Sequence, residues 1–301
     1  MKHEPDITLS ILDYFLKWET ETPDTVFLKQ PVGKRWKEYT WKETGIAARK
    51  LLAQIQQMKF IPGTKIGIWS NNCAEWIICD LALMMGGYVS VPLYANVNAE
   101  NLKGILLHSE CELLLVGKLD LNVWESNKEA IPSNVQILAM PGFQFENLVQ
   151  QVHQTESDVP KAKVILPSLD DLLTIIYTSG TTGAPKGVMH TYGTTINAVL
   201  AAREMVMIDQ PGNRFISYLP LSHAAERGLV EFGAIYSGGS IAFVESAEQF
   251  SVTMQAVQPT HFLAVPRVWQ KFREGILEKV SGNKMELMLR IPFVSSILKK
   301  R

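Results

Sequence analysis

The chain has 301 residues, of which 47% are hydrophobic and 20% charged, with 29 Lys and Arg against 30 Asp and Glu. The formal net charge of −1 excludes a whole-chain field of the kind that attracts nucleic acid. Cys73, Cys79 and Cys111 have no C-x-x-C spacing. They therefore favour packing as small hydrophobic side chains in a reducing compartment over a zinc site or a disulfide framework.

The amino-terminal region gives no sign of export or of a membrane span. Its first ten residues include acidic side chains and lack a signal-peptide core, so we expect a cytoplasmic protein. The stretch 76–94 is as apolar as a membrane span, but it contains Asp80, a Gly86-Gly87 pair and Pro92. We therefore predict a core helix, a glycine stop and then a buried strand.

From Lys65 onward, short apolar runs alternate with amphipathic segments, which predicts parallel βαβ units and an α/β fold. A capping box of Thr40 and Glu43 opens the first predicted helix. The predicted strands are KIGIWS, YVSVPLY, CELLLVG, VQILAM, TIIYTSG, GVMHTY, RFISYLP, SIAFVE and HFLAVP. The predicted helices cover residues 40–58, 72–85, 98–109, 119–129, 194–207, 246–257 and 266–280.

The polar stretch 153–171 carries two prolines and is expected to be a linker. It divides the predicted fold into two βαβ-type lobes. The first α/β subdomain would cover residues 1–170, and the second would cover residues 171–301.

The run Thr178–Gly187, TSGTTGAPKG, follows a predicted buried strand and is the most informative segment of the chain. Glycines let backbone N–H groups approach phosphate oxygens, hydroxyl groups add donors, and Lys186 adds a positive charge. The composition suits a polyphosphate. The loop is neither a Walker A loop nor a Rossmann G-x-G-x-x-G loop. The alternative is a surface turn that binds nothing, but a turn does not need so many donors ending in a lysine.

The loop resembles the phosphate-binding signature of adenylate-forming enzymes, the superfamily of acyl-CoA synthetases, luciferases and peptide-synthetase adenylation domains. Three further segments resemble family motifs, in family order, and the pair Glu226-Arg227 and the PRVW block look like the long-chain branch. These segments are AEWIICDLALMMGGYVSVPLY, YLPLSHAAERG and PTHFLAVPRVWQKF. The resemblance, which covers most of the chain from about Thr40 onward, implies the N-terminal portion of a long-chain fatty acid–CoA ligase.

The chain departs from the family after the PRVW block. Family members carry an adenine-binding Tyr-Gly-x-Thr-Glu motif, a ribose-binding aspartate, a hinge and a small C-terminal domain with a catalytic lysine. None of these motifs is present in the sequence. We therefore expect a large domain that is truncated before the adenine motif and the C-terminal domain, with the second half of the enzyme missing or on another chain.

The resemblance implies that a fatty acid carboxylate attacks ATP to give an acyl-adenylate, which coenzyme A converts to a thioester. ATP, Mg²⁺ and coenzyme A are thus the expected cofactors and co-substrates, and a long-chain fatty acid is the expected partner. Lys186 would be catalytic and bind phosphate, and Thr181 or Thr182 would touch the metal. The residues that should hold the nucleotide phosphates are Thr178, Ser179, Gly180, Thr181, Thr182, Gly183 and Lys186.

The same resemblance places His223 in the acyl or adenylate pocket, with a catalytic role, and Glu226 and Arg227 near the substrate. The alternative for His223 is a hydrogen-bonded structural histidine. Glu226 and Arg227 are expected to pair with each other rather than to act in catalysis. Trp269, in the last predicted helix, is expected to pack in the core.

The stretch 271–301 is rich in Lys and Arg with apolar runs between them. The apolar face of its helices would pack on the missing part of the domain, or else the stretch would touch a membrane surface as a peripheral segment. Two alternatives to the leading function stay open. One is a nucleotide- or lipid-binding fragment without catalysis, and the other is an adenylating ligase for another carboxylic acid.

Overall fold

A computed structural model describes residues 6–33, 35–143, 162–178, 185–210 and 212–279 of the chain. The chain divides into two compact units, residues 1–261 and residues 262–301. The first unit contains two sheets. Its strands are β1 (Val26–Val32), β2 (Arg35–Thr40), β3 (Lys65–Trp69), β4 (Val89–Leu93), β5 (Cys111–Val116), β6 (Gln136–Ala139), β7 (Leu172–Thr178), β8 (Lys186–Thr191), β9 (Arg214–Ser217) and β10 (Ser240–Phe243).

Most helices of the first unit lie between these strands in the chain, but the first helix precedes β1 and the last follows β10. They are α1 (Ile11–Glu21), α2 (Trp41–Gln57), α3 (Ala74–Gly86), α4 (Ala99–His108), α5 (Leu121–Asn127), α6 (Tyr192–Val206), α7 (Ala224–Glu226), α8 (Gly233–Ser237) and α9 (Phe250–Val257). A 3₁₀ turn (Lys128–Ala130) follows α5, and a π-helical segment (Arg227–Phe232) joins α7 to α8. Mid-helix π-turns of this kind are frequent at functional sites.

The six-stranded sheet has the order β6-β5-β3-β4-β7-β8, with β8 antiparallel at its edge, and the strands before it are parallel. The four-stranded sheet has the order β2-β1-β10-β9, with β2 antiparallel at its edge. Each sheet therefore draws strands from both sides of residue 170. The division into subdomains 1–170 and 171–301 stays a prediction.

Helix α3 explains how the two sheets are joined. Every residue of α3 is buried, which suits a helix that has no face left for solvent. One core cluster contains α3 together with side chains of both sheets, such as Phe27, Ile68 and Phe243. A second cluster covers the other face of the six-stranded sheet with side chains of α4 and α5. The first unit is thus layered, with helices between the sheets and a further helical layer outside.

Capping residues fix where several helices begin. Ser10, Thr40 and Thr191 each accept a hydrogen bond from the third residue of the helix that follows, and each forms a capping box. The capping box predicted at Thr40 is thereby confirmed. The predicted βαβ alternation from Lys65 to Met140 is also confirmed, and α3 ends at Gly87, whose φ of 66° is the left-handed conformation typical of a glycine stop.

The predicted strand HFLAVP is wrong. Only His261 pairs, in an isolated bridge with Phe215. The amides of Thr260 and His261 both donate to the carbonyl of Arg214, and Gln258 takes a left-handed φ of 46°. Residues 262–265 are in no strand.

The predicted linker 153–171 lies partly outside the described residues. Its described part is docked on the fold, because Lys163 exchanges two hydrogen bonds with Gln56 and the amide of Ile165 donates to Met85. The three cysteines are free and buried, as expected for hydrophobic packing. None of the helices that the structure describes is long and apolar enough to cross a membrane.

The second unit contains α10 (Pro266–Lys279), which begins at the predicted proline. Trp269 forms edge-on ring contacts with Phe262 and Phe272 at centroid distances of 5.5 and 5.9 Å. Its side chain is nevertheless 53% exposed, so the prediction that Trp269 packs in a core is wrong. Most of the basic stretch 271–301, including the predicted membrane-surface segment, lies outside the described residues.

Candidate active site

The glycine- and threonine-rich loop joins β7 to β8 at the carboxyl end of the parallel strands. Thr178 and Lys186 are directly opposite each other in the antiparallel pairing of these strands, and both are exposed. The loop between them contains the predicted residues Ser179, Gly180, Thr181, Thr182 and Gly183, which lie outside the described residues. Ligands in open α/β sheets generally bind beyond this strand end, which is where Thr178 and Lys186 lie.

Lys186 is suited to hold an anion. No carboxylate of the described residues lies within 4.0 Å of its ammonium group, in contrast to lysines such as Lys118, which pairs with Glu245 at 2.8 Å. An exposed ammonium at the base of a loop that is rich in hydroxyl and N–H donors fits a phosphate. Among the described residues no group of three or more His, Cys, Asp and Glu side chains could hold a metal.

His223 follows β9 and caps the short helix α7. Its Nδ1 accepts a hydrogen bond from the amide of Ala225 at 3.1 Å, and the residue is exposed. The structure thus gives His223 the hydrogen bond that the structural alternative requires. Its predicted role in the acyl or adenylate pocket stays a prediction.

Glu226 and Arg227 do not pair with each other, and the predicted ion pair is wrong. Consecutive helical side chains point in different directions, roughly 100° apart. The guanidinium of Arg227 contacts two other carboxylates, Asp80 at 2.5 Å and Glu231 at 3.2 Å. Glu226 instead accepts a hydrogen bond from the amide of Tyr218 at 3.0 Å, next to β9. The proposed contact of this pair with substrate stays a prediction.

The Arg227 guanidinium lies at the centre of a fully buried polar cluster. It donates to the hydroxyl of Thr174 on β7 at 2.7 Å and to that of Ser90 on β4 at 3.0 Å. Burial opposes its charge, but Asp80 and Glu231 outweigh burial and raise the pKa of Arg227. The cluster connects α3, β4, β7 and the π-helical segment, and its Thr174 is four residues before Thr178, where β7 ends.

Two buried carboxyl groups of this region bind their protons unusually tightly. Burial raises the pKa of Glu231 well above its ordinary value, and the nearby Asp80 adds to the effect. Burial also raises the pKa of Glu226 to about 8, against the opposing effect of hydrogen bonds from Ser217, Tyr218 and Leu219. The raised pKa of Glu231 favours its protonated form, so the guanidinium chiefly balances the carboxylate of Asp80.

A cavity of about 290 Å³ lies between α6 and the segment 224–232, against β7 and β8. Its walls are mostly apolar, with Ile176 from β7, Ala202 and Val206 from α6, and Phe232 opposite. Its polar lining includes Thr174, Arg227 and His190. Burial lowers the pKa of His190, and the charge of Arg227 lowers it further. Ile176 is two residues before Thr178 on the same strand, so the cavity adjoins the strand that leads into the loop.

The sequence patterns missed the residues that build the polar cluster. Asp80 was the one available signal, since a single charge in an apolar helix must be paired or neutral. Its partner, Arg227, is 147 positions away, and nothing local indicates the pairing. In the sequence, Thr174 and Ser90 are indistinguishable from ordinary strand residues.

The fold is that of adenylate-forming enzymes. The o-succinylbenzoate CoA synthetase of Bacillus subtilis in complex with its acyl-adenylate intermediate superposes with a TM-score of 0.71 at 20% identity, covering 87% of this chain and 64% of that chain. The same enzyme in complex with ATP and magnesium gives a TM-score of 0.66 at 18% identity, covering 82% of this chain and 61% of that chain. These similarities establish the fold.

The chain belongs to the AMP-binding enzyme family, whose model matches residues 15–292. Fatty acyl-CoA synthetase A of Dictyostelium discoideum is 32% identical over 280 residues, which are 83% of this chain and 39% of that protein. Long chain acyl-CoA synthetase 2 of Arabidopsis thaliana is 29% identical over 270 residues, which are 81% of this chain and 40% of that protein. The chain thus spans about two-fifths of the length of these relatives.

Proposed function

We propose that this chain provides the phosphate site and the acyl pocket of an ATP-dependent long-chain fatty acid–CoA ligase. A carboxylate oxygen of the fatty acid attacks the α-phosphorus of ATP and releases pyrophosphate, and the coenzyme A thiol then displaces AMP. The observation that carries the proposal is the pairing of Thr178 with Lys186, which places the ammonium at the mouth of the loop.

The first step brings two anions together, so its rate depends on positioning and on charge neutralisation. Lys186 supplies a positive charge that no described carboxylate neutralises, and Thr178 supplies a hydroxyl. The loop residues 179–183 would add N–H and hydroxyl donors to the β- and γ-phosphates. Magnesium, when bound with the nucleotide, neutralises further phosphate charge.

The cavity beside β7 is the proposed place for the hydrocarbon chain. Burial of apolar surface is worth about 25 cal/mol per Å², so an alkyl chain gains affinity in an apolar cavity that excludes water. Its volume of about 290 Å³ is at the lower end of the usual range for small-molecule sites, roughly 300–1,000 Å³. The synthetases of D. discoideum and A. thaliana, whose names specify fatty or long-chain acyl substrates, support the same substrate class.

Two alternative functions of the chain can be separated by one experiment. The chain could bind nucleotide or lipid without turnover, or it could activate another carboxylic acid, as its structural similarity to an o-succinylbenzoate synthetase illustrates. Acid-dependent exchange of pyrophosphate into ATP, measured with acids from acetate to palmitate, separates these functions. We expect exchange to be strongest with long acids.

A matched pair of lysine variants controls the exchange experiment. Lys186→Ala should abolish exchange, whereas Lys50→Ala, an exposed lysine on α2, should leave it unchanged. Exchange that prefers short or aromatic acids would replace the fatty acid with another substrate. MgATP binding without exchange for any acid would support the non-catalytic alternative.

A further inference from the structure

The phenol of Tyr177, the residue before Thr178, is held by the end of a neighbouring helix. His108, the last residue of α4, places its Nδ1 2.6 Å from the Tyr177 hydroxyl oxygen. The two rings meet edge-on, with centroids 5.7 Å apart and an interplanar angle of 90°. Burial raises the pKa of Tyr177, so the phenol stays neutral and retains its proton for hydrogen bonding.

The Tyr177 ring in turn lies against the opposite strand of the hairpin. Its partner in the β7–β8 register is Gly187, which directly follows Lys186. A Cβ atom added at Gly187 would come within 3.1 Å of the Tyr177 ring and within 2.8 Å of Ile175. The φ of Gly187 is not positive, so a left-handed backbone does not explain the glycine. The close approach of the ring explains it, because a Cβ atom at this position would be crowded. Two successive contacts therefore connect His108 to Gly187, the residue that follows Lys186.

We propose that His108 is a positioning residue for the phosphate loop. By fixing the Tyr177 ring over Gly187, it holds the two ends of the loop, Thr178 and Lys186, in their register. The inference rests on the proposed function, because the loop is taken to bind the phosphates of ATP. His108 is the last residue of α4, does not line the cavity and lies outside the loop.

The contact between His108 and Tyr177 has features of a specific restraint rather than of general packing. Tyr177 is 5% exposed and belongs to the apolar cluster under α4, where its hydroxyl is the polar atom that needs a partner. The hydroxyl of Ser109 also interacts with the phenol and favours its ionised form. His108 itself is exposed, so burial alone does not explain a histidine at this position.

The test compares three single variants and one double variant of this pair by MgATP affinity and by backbone hydrogen exchange. His108→Phe keeps a flat ring but removes the nitrogen, Tyr177→Phe removes the hydroxyl, and His108→Gln keeps a hydrogen-bonding group. We expect His108→Phe to weaken MgATP binding about fivefold, the effect of one hydrogen bond, and His108→Gln to restore most of it. Tyr177→Phe should have the same effect, and the double variant should show no further loss.

Two further readouts separate positioning from loss of structure. The β8 amides from Gly187 to His190 should exchange faster in His108→Phe, while the thermal midpoint stays close to that of Leu107→Ala, an exposed neighbour on α4. Unchanged MgATP affinity in His108→Phe, or unchanged exchange in β8, would overturn the proposal. A wild-type chain that does not bind MgATP would overturn the proposed function, and the exchange of β8 would then still decide whether His108 fixes the hairpin.

Discussion

The guanidinium of Arg227 donates to the carboxylate of Asp80 at 2.5 Å, although the two residues are 147 positions apart and neither is exposed. Asp80 is on the buried helix α3, and Arg227 begins the π-helical segment beside the cavity. The pair therefore connects the π-helical segment, which lines the proposed acyl site, to α3, which lies between the two sheets.

We predict that Arg227→Met lowers the free energy of unfolding by about 3–5 kcal/mol, because it leaves the buried Asp80 carboxylate without a countercharge. Urea denaturation monitored by tryptophan fluorescence measures the change. Glu231→Gln is the control. Since burial and the nearby Asp80 raise the pKa of Glu231 and so favour its protonated form, an amide at this position should cost less than about 1 kcal/mol. Equal losses in the two variants would show that Glu231 is charged.

The raised pKa of Glu226 predicts a pH dependence of stability. The folded state binds the proton more tightly than the unfolded state, because the pKa rises from 4.5 to about 8 on burial. Its stabilising contribution is complete below pH 4.5 and is lost as the pH rises to about 8. The free energy of unfolding should therefore fall over this range.

Glu226→Gln isolates this contribution, since an amide does not titrate and still accepts the hydrogen bond from the Tyr218 amide. The wild type should lose stability relative to Glu226→Gln as the pH rises. If the free energy of unfolding changed with pH in the same way for the wild type and Glu226→Gln between pH 4.5 and about 8, the raised pKa of Glu226 would be contradicted.

Gly187→Ala tests the close approach of the hairpin strands. The added methyl group would lie 2.8 Å from Ile175 and 3.1 Å from the Tyr177 ring. We expect a loss of roughly 1–3 kcal/mol in stability and weaker MgATP binding, as is typical of an overpacked site. Chemical denaturation and nucleotide titration provide the two measurements.

Gly104→Ala is the matched glycine variant. Gly104 is on the exposed face of α4, and nothing lies within 4 Å of a Cβ atom at that position. In a helix the substitution should stabilise the protein by about 0.5–1 kcal/mol. If both alanines had the same effect, the contact between Gly187 and Tyr177 would not matter.

Ala202→Phe should fill part of the cavity and shift the preference among fatty acids. Ala202 lines the cavity on α6, whereas the adjacent Ala201 is exposed and does not line it. We expect kcat/KM for palmitate to fall about tenfold more than kcat/KM for octanoate in Ala202→Phe, on the scale of one or two methylene groups. Ala201→Phe should leave the ratio unchanged, and a shift in Ala201→Phe instead would place the alkyl chain elsewhere.

The local parts of the fold could be predicted from the sequence. The capping box at Thr40, the strands and helices from Lys65 to Met140 and the glycine stop at Gly87 all depend on residues close together in the chain. The class of enzyme follows from the loop motif, which is likewise local. The family model and the shared fold confirm that class.

The long-range pairings could not be predicted. β1 pairs with β10 from residues more than 200 positions later, and β7 joins the sheet of the first half. Glu226 and Arg227 suggested an ion pair because they are adjacent, but adjacent helical residues point apart and each finds its partners elsewhere. The strand predicted at HFLAVP has suitable residues, yet only His261 pairs with β9, and the amides of Thr260 and His261 both donate to Arg214.

The phosphate site at the β7–β8 hairpin is the central claim, and the most direct measurement is the affinity of the chain for MgATP. Calorimetric titration of the wild type, Lys186→Ala and Lys50→Ala requires no turnover and no second protein. The account predicts at least about tenfold weaker binding for Lys186→Ala, the effect of losing a charge-assisted contact with phosphate, and wild-type affinity for Lys50→Ala. Equal affinity of all three proteins would contradict it.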